Sequence, residues 1–466
     1  MKVFNTLSDQ KEEFIPQHKN RVNMYVCGIT PYDETHVGHA RAYVAFDAIR
    51  RYLEYKGFKV NYIQNITDID DKIINRVKGQ GASSQEIKEL CKHLTEKYIQ
   101  SFFEVMDKLN VKCATKYPKA TEHIKEMVQG IEELIKKGYA YVIDQDVYFE
   151  VAKFKDYGKL SKRDLNKLLS GARVEVDERK KSPLDFALWK SAKPNEPSWD
   201  SPWGKGRPGW HIECSVMSKK YLGETFDIHG GGRDLIFPHH ENEIAQAEAL
   251  TGKPFVKYWM HNGFITINKE KMSKSLGNFF VLREVLEKYD PMAVRLFLLQ
   301  THYRSPIDFS EGQLKAATEA FSRIKKFSAS LDSAKGKNKI EVKNSLKTIK
   351  DKFIHEMEDD FNTAGAIAAI FELIHFGNKM IQQSADKKML ESIKKLLLEF
   401  CEVLGIKIES TEHRAQNTGE IEEWIRERNA ARKNKDFAKA DQIRDDLAKK
   451  GIIIEDTPQG TRWSKK

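Results

Sequence analysis

The stretch 24–57 combines an apolar run, a loop and a helical pattern in that order. Residues 24–27 are apolar and predict a buried strand, and Gly28 and Pro31 mark a turn after it. The apolar residues of the helix recur at helical spacing: Val44, Ala45, Ala48, Ile49 and Leu53. A helix N-terminus that follows a strand and a loop offers backbone N–H groups to a phosphate. The stretch therefore favours an α/β fold with an anion site at the end of a strand.

Two histidines lie at the predicted start of this helix. His36 and His39 can each donate an N–H to charge that develops on a phosphate. Gly38 between them leaves room for a planar ligand to lie against the backbone. Cys27 ends the strand and is predicted to face the same crevice. We therefore expect phosphate chemistry and a cysteine side chain to meet in this segment.

The length of 466 residues is too great for one compact core. Alternating strands and helices predict a parallel sheet built from two halves, 1–115 and 209–310. Residues 116–208 contain a helical pattern, a hairpin and a Lys- and Pro-rich passage, and are predicted to be an insertion between the halves. A bundle of about four helices is predicted over 311–410, and a small domain of a helical pair and a strand over 420–466.

The second half of the sheet has its own order of elements. We predict a strand over 225–229, a glycine-rich turn over 230–232 and a helix that begins near Pro238. A further strand over 263–267 leads into a loop over 269–278.

Charge and cysteine content limit the class of protein. A net charge of +10 fits a polyanionic partner such as nucleic acid, and fits a solvated basic surface equally well. No run approaches the ~18 consecutive apolar residues of a membrane span. The N-terminus has no apolar signal core, so we expect a cytoplasmic protein. Five dispersed cysteines indicate free thiols or metal ligands rather than a disulfide framework.

A candidate metal site lies in the second half of the sheet. His239 and Glu243 are four residues apart, so on a helix they share one face and can bind one ion. With the thiolates of Cys27 and Cys214 they form a donor set suited to Zn²⁺. His240 is a competing ligand because it also lies within one turn of Glu243. The alternative is a helix N-terminus with solvated polar residues and two buried cysteines.

A basic loop contains two lysines three residues apart. Lys271 and Lys274 place two ammonium groups where they could bind a triphosphate. The alternative is an ordinary basic surface loop. The sequence contains neither a Gly-x-x-x-x-Gly-Lys-Ser/Thr phosphate loop nor a Gly-x-Ser-x-Gly nucleophile motif.

Together, His36-Val-Gly-His39 and Lys271-Met-Ser-Lys-Ser275 resemble the paired signature of class I aminoacyl-tRNA synthetases. Val37 stands where the pattern that names the first motif has isoleucine, which is a conservative change. Further segments resemble the cysteinyl-tRNA synthetase family from one end of the chain to the other: 24–28, 65–72, 209–214, 226–232, 237–243, 258–261 and 455–460.

The resemblance implies a Rossmann-like catalytic domain that an insertion splits, then a helical bundle that contacts the tRNA stem and a C-terminal anticodon-binding domain. It also implies one zinc ion per chain, bound by Cys27, Cys214, His239 and Glu243, and so selects His239 over His240. The zinc would bind the sulfur of the substrate cysteine. A metal-bound thiol ionises near neutral pH, whereas the hydroxyl of serine is a far weaker acid.

The implied reaction has two steps, with ATP, L-cysteine and tRNA(Cys) as partners. The carboxylate of L-cysteine attacks the α-phosphate of ATP and releases pyrophosphate, with His36 and His39 at that phosphate beside Gly38. Lys271 and Lys274 hold the β- and γ-phosphates, and Mg²⁺ arrives on the nucleotide. The terminal adenosine of the tRNA then accepts cysteine from the cysteinyl-adenylate through its 2′-hydroxyl. A monomer with no membrane partner is expected.

Other matching positions are less specific. Thr67, Trp210 and Asp234 match residues that line the amino-acid and adenylate pocket of the family. In the tail, Trp424 or Trp463 would either stack on an unpaired base or belong to a small core. Six basic residues there are predicted phosphate contacts: Arg426, Arg428, Arg432, Lys433, Lys435 and Lys439.

Two other functions remain open at this point. A ligase that joins cysteine to an amino sugar in mycothiol synthesis would share the front of the chain, but it would lack the tail 421–466. A non-catalytic, zinc-stabilised RNA-binding protein is the second alternative, and the intact His36, His39 and Lys274 argue against it.

Overall fold

The computed structural model describes most of the chain. The described residues are 1–78, 83–163, 178–267, 270–271, 279–340, 345–408, 423–432, 434, 436–449, 452–457 and 460–465. The strands in chain order are β1 Lys2–Asn5, β2 Gln10–Glu13, β3 Arg21–Ile29, β4 Lys59–Ile66, β5 Ala140–Ile143, β6 Asp146–Phe149, β7 Phe186–Ser191, β8 Gly206–Pro208, β9 Phe226–Gly232, β10 Val256–Asn262, β11 Ile265–Ile267, β12 Glu270–Lys271, β13 Ile307–Asp308, β14 Ile452–Thr457 and β15 Gly460–Lys465.

The described helices follow the strands through the chain and dominate its last third. They are α1 Val37–Tyr55, α2 Asp71–Val77, α3 Ser84–Lys108, α4 Ile124–Lys136, α5 Trp210–Leu222, α6 Glu241–Thr251, α7 Leu282–Lys288, α8 Pro291–Leu299, α9 Glu311–Ser333, α10 Ser345–Glu358, α11 Thr363–Gln382, α12 Lys387–Val403, α13 423–432 and α14 Phe437–Lys449.

A four-stranded parallel sheet of order β10-β9-β3-β4 forms the centre of the catalytic part. Strand β3 is buried along almost its whole length because helices cover both faces of the sheet. Met24 and Val26 join the core that α1 covers, whereas Tyr25 and Cys27 join the core on the other face. The predicted parallel sheet, built from two halves, is thus confirmed.

The segment between β4 and β9 adds a second sheet. Strands β5, β6, β7 and β8 form an antiparallel sheet in that order. Its first two strands are the predicted hairpin. The last two lie in the passage that sequence analysis described only as Lys- and Pro-rich, because short strands interrupted by such residues carry no clear alternation.

Two predictions about glycines were wrong. Gly28 lies within β3, and residues 230–232 end β9 rather than forming a turn. A Cβ on Gly230 would lie 2.4 Å from the ring of Phe46, and one on Gly231 would lie 2.9 Å from His240. These glycines therefore serve close packing against the strand, which sequence alone does not distinguish from a turn. Strand β10 and the first hairpin were not predicted at all.

The four predicted helices after residue 311 are α9 to α12. Among the described residues, α11 is the one helix long and apolar enough to cross a membrane by length and composition. Its residues Ile367, Ile370 and Leu373 are buried in the core that the bundle shares with the catalytic part. We therefore assign α11 as a core helix of the bundle.

The C-terminal segment is a helical pair followed by a hairpin of β14 and β15. Ile425, Ile443, Leu447 and Ile452 form its small core, and the half-buried Trp424 packs against it. Trp424 therefore contacts the small core, and its stacking on an unpaired base stays a prediction.

The predicted basic contacts of this segment divide in three. Arg428 is 5% exposed, so it is not the open phosphate contact that its spacing suggested. Arg426, Arg432 and Lys439 are exposed. Lys433, Lys435 and the side chain of Trp463 lie outside the described residues.

A buried ion pair links α1 to α8 within the catalytic part, and its arginine also reaches the end of the bundle helix α12. Asp47 on α1 accepts hydrogen bonds from Arg295 on α8, from Arg51 at 2.7 Å and from the N–H of Lys112 at 2.9 Å. Arg295 also donates through Nε to the carbonyl of Leu404, at the end of α12, at 2.7 Å. Burial would raise the pKa of Asp47, but Arg295 and Arg51 outweigh burial and lower it.

We expect Asp47→Asn to destabilise the fold by about 3–5 kcal/mol at neutral pH, because Arg295 and Arg51 lose their buried counter-charge. Urea unfolding measures the difference. Asp359→Asn, which removes an exposed pair with Lys11, is the matched control and should cost less than about 1 kcal/mol. Since the folded-state pKa of Asp47 is lowered, its contribution is lost as the pH falls through that pKa, and the wild type and Asp47→Asn should converge there. Equal stability at pH 7 would contradict this account.

Candidate functional site

A pocket of about 350 Å³ opens beside the carboxyl end of β3. The strand order reverses at β3, because β4 lies on one side of it and β9 on the other. This reversal of strand order is the position at which open α/β sheets bind ligands. Six of its described lining residues had been predicted from sequence: Cys27, His36, Gly38, His39, Trp210 and Asp234.

The two histidines of the first motif cap the helix that they begin. His36 is the N-cap of α1, and its ring accepts the N–H of His39 at 3.3 Å. The His39 ring accepts the N–H of His36 in return, and the two rings stack with centroids 3.7 Å apart. The imidazoles are therefore held side by side at a helix N-terminus, which is a favourable position for an anionic phosphate.

Four predicted metal ligands come together beside this pocket, and one of them, Cys27, lines it. The Sγ atoms of Cys27 and Cys214, a ring nitrogen of His239 and a carboxylate oxygen of Glu243 lie within 4.8 Å of one another. All four side chains are buried, with exposed fractions of 8%, 1%, 1% and 0%. Two sulfurs, one nitrogen and one oxygen at this separation fit a tetrahedral ion such as Zn²⁺.

Each of these residues reaches the cluster from a different local structure. Cys27 lies where the register between β3 and β4 shifts, and Cys214 lies in the first turns of α5. His239 lies in a short kinked turn, Ile236–His240, which leads into α6, the helix of Glu243. The side chains of His239 and Glu243 meet across this junction, as their four-residue spacing predicts, with His239 Nε2 2.9 Å from Glu243 Oε1.

The cluster strongly perturbs its own ionisation. Burial would raise the pKa of Glu243, but His229 and His239 outweigh it and lower the pKa to about 2. A hydrogen bond from Cys27 lowers the pKa of Cys214 to about 6, although burial acts in the opposite direction. Burial and the neighbouring Cys214 raise the pKa of Cys27. The site thus already favours one thiolate and one carboxylate in its interior.

Further histidines surround the cluster. His240 was predicted only as a competing ligand, and His211 and His229 had no predicted role. His229 Nε2 lies 2.7 Å from Glu243 Oε2, and His240 Nε2 lies 3.2 Å from Cys27 Sγ. His211 is 2.9 Å from His239 through their Nδ1 atoms. The signal was present in the sequence, since five histidines fall between 211 and 261. Such partners orient metal ligands and fix their tautomers.

These histidines also create a second set of donors. Cys27, His229, His240 and Glu243 place one ligand atom each within 4.8 Å of one another. The set shares two members with the first and contains one sulfur instead of two. Both His239 and His240 are therefore candidate metal ligands in the structure, as they are in the sequence.

The predicted substrate contacts divide between pocket and interior. Trp210 is 39% exposed, lines the pocket and stacks on His239 with centroids 4.1 Å apart. Asp234 is exposed and also lines the pocket. Thr67 is 3% exposed and is not among the described residues that line it. Its hydroxyl donates to Glu213 at 2.8 Å.

The second basic motif is described only in part. The backbone of Lys271 lies in β12, which pairs with β11 near the pocket residue Ile265. The side chain of Lys271 and all of Lys274 lie outside the described residues. Their contact with a triphosphate stays a prediction. Lys72, the last residue of the segment 65–72, had no predicted role. It lines the pocket, and its ammonium lies 5.4 Å from the centre of the Tyr32 ring.

Three family models match the chain. Residues 13–319 match a family described as tRNA synthetases class I (C) catalytic domain. Residues 352–409 match the DALR domain, and residues 416–463 match the Cysteinyl-tRNA ligase anticodon binding domain.

Solved structures share the fold at low sequence identity. Methionyl-tRNA synthetase of Mycobacterium tuberculosis, in complex with methionyl-adenylate, has a TM-score of 0.60 and 16% identity, with 83% of this chain and 89% of that chain covered. The LeuRS of Agrobacterium radiobacter, in a ternary complex with tRNA, has a TM-score of 0.61 and 12% identity over 84% of this chain and 85% of that chain. These likenesses show a class I synthetase fold.

Curated relatives match over their full length. The cysteine–tRNA ligase of Carboxydothermus hydrogenoformans is 55% identical, with 100% of both chains covered. The cysteine–tRNA ligases of Thermodesulfovibrio yellowstonii and Caldicellulosiruptor saccharolyticus are 52% and 51% identical, with at least 99% of each chain covered. The chain therefore belongs to the cysteine–tRNA ligase family of class I aminoacyl-tRNA synthetases.

Proposed function

We propose that the protein activates L-cysteine with ATP and transfers it to the terminal adenosine of tRNA(Cys). The observation that carries the proposal is the position of the four-donor cluster, since Cys27 lines the same pocket as His36 and His39. A sulfur-binding end and a phosphate-binding end thus lie in one cavity. Cysteine with its carboxylate directed at an α-phosphate has the chemistry that such a cavity suits.

We further propose Zn²⁺ as the resident ion, held by Cys27, Cys214, His239 and Glu243. The donor set with two sulfurs suits this soft-to-borderline ion better than the set with one. In the proposed site, His229 and His240 then serve as hydrogen-bond partners of Glu243 and Cys27. When bound there, the ion supplies a soft Lewis acid for the sulfur of the substrate, which separates cysteine from serine where shape alone separates them poorly.

The chain's own residues account for the first step by orientation and charge. Trp210, stacked on His239, closes the apolar side of the amino-acid end. Asp234 carries a carboxylate in the pocket and suits the α-ammonium group of the amino acid or a ribose hydroxyl. His36 and His39 donate N–H groups to the α-phosphate as its negative charge grows. Gly38 lets the nucleotide approach the start of α1.

Other parts of the chain would bind the triphosphate and the tRNA. We propose that Lys271 and Lys274 hold the β- and γ-phosphates, with Mg²⁺ bound to the nucleotide. The bundle α9 to α12 and the C-terminal domain would hold the stem and the anticodon of the tRNA. The exposed Arg426, Arg432 and Lys439 are suited to phosphate contacts. A cytoplasmic location and a monomeric state complete the proposal.

ATP–pyrophosphate exchange followed by a transfer assay tests the proposed function. We expect exchange that requires L-cysteine, and transfer of cysteine to tRNA(Cys). Exchange without transfer to tRNA would favour the amino-sugar ligase. A protein that binds RNA but shows no exchange would be the non-catalytic alternative. Either of these two results would overturn the proposal.

A further inference from the structure

A bulge in β3 lies at the first cysteine of the cluster. Val26 pairs with Gln64 and Ile29 with Ile66, so three steps along β3 match two along β4. The extra residue lies in the pair Cys27 and Gly28. After it, the faces of the strand shift in phase, because Ile29 joins the same core as Val26. Bulges are over-represented beside active sites.

The bulge leaves a backbone donor that the strand ladder does not use. The N–H of Gly28 donates to Oδ1 of Asn65 at 2.8 Å. A Cβ on Gly28 would lie 1.5 Å from the carbonyl oxygen of Asn65, so only glycine permits this approach. The side chain of Asn65 thus takes the place of a ladder hydrogen bond next to Cys27.

The contact continues to the second cysteine through buried side chains. Nδ2 of Asn65 donates to the hydroxyl of Thr67 at 3.2 Å, and that hydroxyl donates to Oε2 of Glu213 at 2.8 Å. Asn65, Thr67 and Glu213 are 2%, 3% and 1% exposed. Glu213 directly precedes Cys214 on α5. A hydrogen-bonded bridge therefore runs from the residue after Cys27 to the residue before Cys214.

We propose that Asn65, Thr67 and Glu213 are positioning residues that set the separation of the Cys27 and Cys214 sulfurs. The two cysteines come from different halves of the catalytic part, Cys27 from β3 and Cys214 from α5, and the bridge connects these halves. Buried hydrogen bonds fix such distances because breaking one leaves an unsatisfied polar group. Thr67 acts here through the metal ligands rather than by contact with the substrate. The inference rests on the metal site of the proposed function.

Zinc retention in the absence of L-cysteine and ATP tests the bridge. Thr67→Val removes the hydroxyl at constant size, and Glu213→Asp keeps the carboxyl group but shortens the reach to Thr67. Each variant is mixed with a chromogenic chelator that competes for zinc. We expect the zinc affinity of each variant, measured in this way, to be about tenfold weaker than that of the wild type. Thr67→Ser, which keeps the hydroxyl, should restore most of the retention. The double variant should lose no more than either single variant, because both break the same link.

Several outcomes would overturn the inference. Wild-type retention in Thr67→Val and Glu213→Asp, with only the KM for cysteine raised, would make Thr67 a substrate contact. Additive losses in the double variant would make the two effects independent. If Thr67→Val does not fold, as judged by circular dichroism, Glu213→Asp and its comparison with Thr67→Ser carry the test. A wild-type protein that binds no zinc would instead contradict the proposed function itself.

Discussion

The Cys214→Ser variant is expected to lose its zinc and with it the activation of cysteine, while its affinity for tRNA(Cys) stays near that of the wild type. Serine replaces a soft sulfur donor with a hard hydroxyl in a site that is 1% exposed. A metal that polarises a substrate contributes several kcal/mol, so the kcat/KM for cysteine in ATP–pyrophosphate exchange should fall by about a thousandfold or more. The bundle and the tail, which we propose as the tRNA contacts, do not include this residue.

Cys113→Ser is the matched control for this variant. Cys113 is exposed, and its backbone carbonyl, which accepts from Arg50 at 2.6 Å, is unaffected by the change. We expect full zinc content and wild-type exchange in this control. Atomic absorption measures the zinc content. If Cys214→Ser contains as much zinc as the wild type, Cys214 is not a ligand.

Replacing His36 by asparagine is expected to slow adenylate formation by about 10²- to 10³-fold, with little change in the KM for cysteine. Asparagine is a good N-cap, so α1 keeps the cap that His36 provides, while the imidazole N–H beside the phosphate is lost. An effect on kcat without an effect on cysteine binding separates charge stabilisation from a role in folding or substrate affinity. Single-turnover measurements with saturating ATP give this quantity.

His93→Asn makes the same change at an exposed position on α3 and should leave the rate unaltered. His39→Asn should resemble His36→Asn, since the two rings stack and point to the same pocket. A wild-type rate of adenylate formation in both motif variants would show that neither histidine acts on the phosphate.

The order of elements and the site motifs were predictable because both are local in sequence. The apolar run before Gly28, the helical period after His36 and the four-residue spacing of His239 and Glu243 each need only a few neighbouring residues. The parallel sheet follows from the alternation of strands and helices. The grouping of Cys27 and Cys214 in one metal site was one of two interpretations of the residues, and the family resemblance selected it, because residues so far apart in sequence have no local pattern in common.

Features that depend on contacts between distant residues were missed. The glycines at 230–232 look like a turn, yet they serve the packing of Phe46 and His240 against β9. The bulge at Cys27 needs the register of two strands, which the sequence of one strand does not contain. The hydrogen bond of the Thr67 hydroxyl to Glu213 was likewise not predictable, and the role of Thr67 as a substrate contact stays a prediction. Arg428 looked like one of several basic surface residues, although the fold buries it.

X-ray absorption at the zinc edge of the purified protein tests the central claim most directly. The account predicts one zinc per chain with two sulfur neighbours at about 2.3 Å and nitrogen or oxygen neighbours at about 2.0–2.1 Å. Addition of L-cysteine should raise the number of sulfur neighbours to about three, and addition of L-serine should leave it at two. A single sulfur neighbour in the free protein, or a spectrum that L-cysteine does not change, would contradict the account.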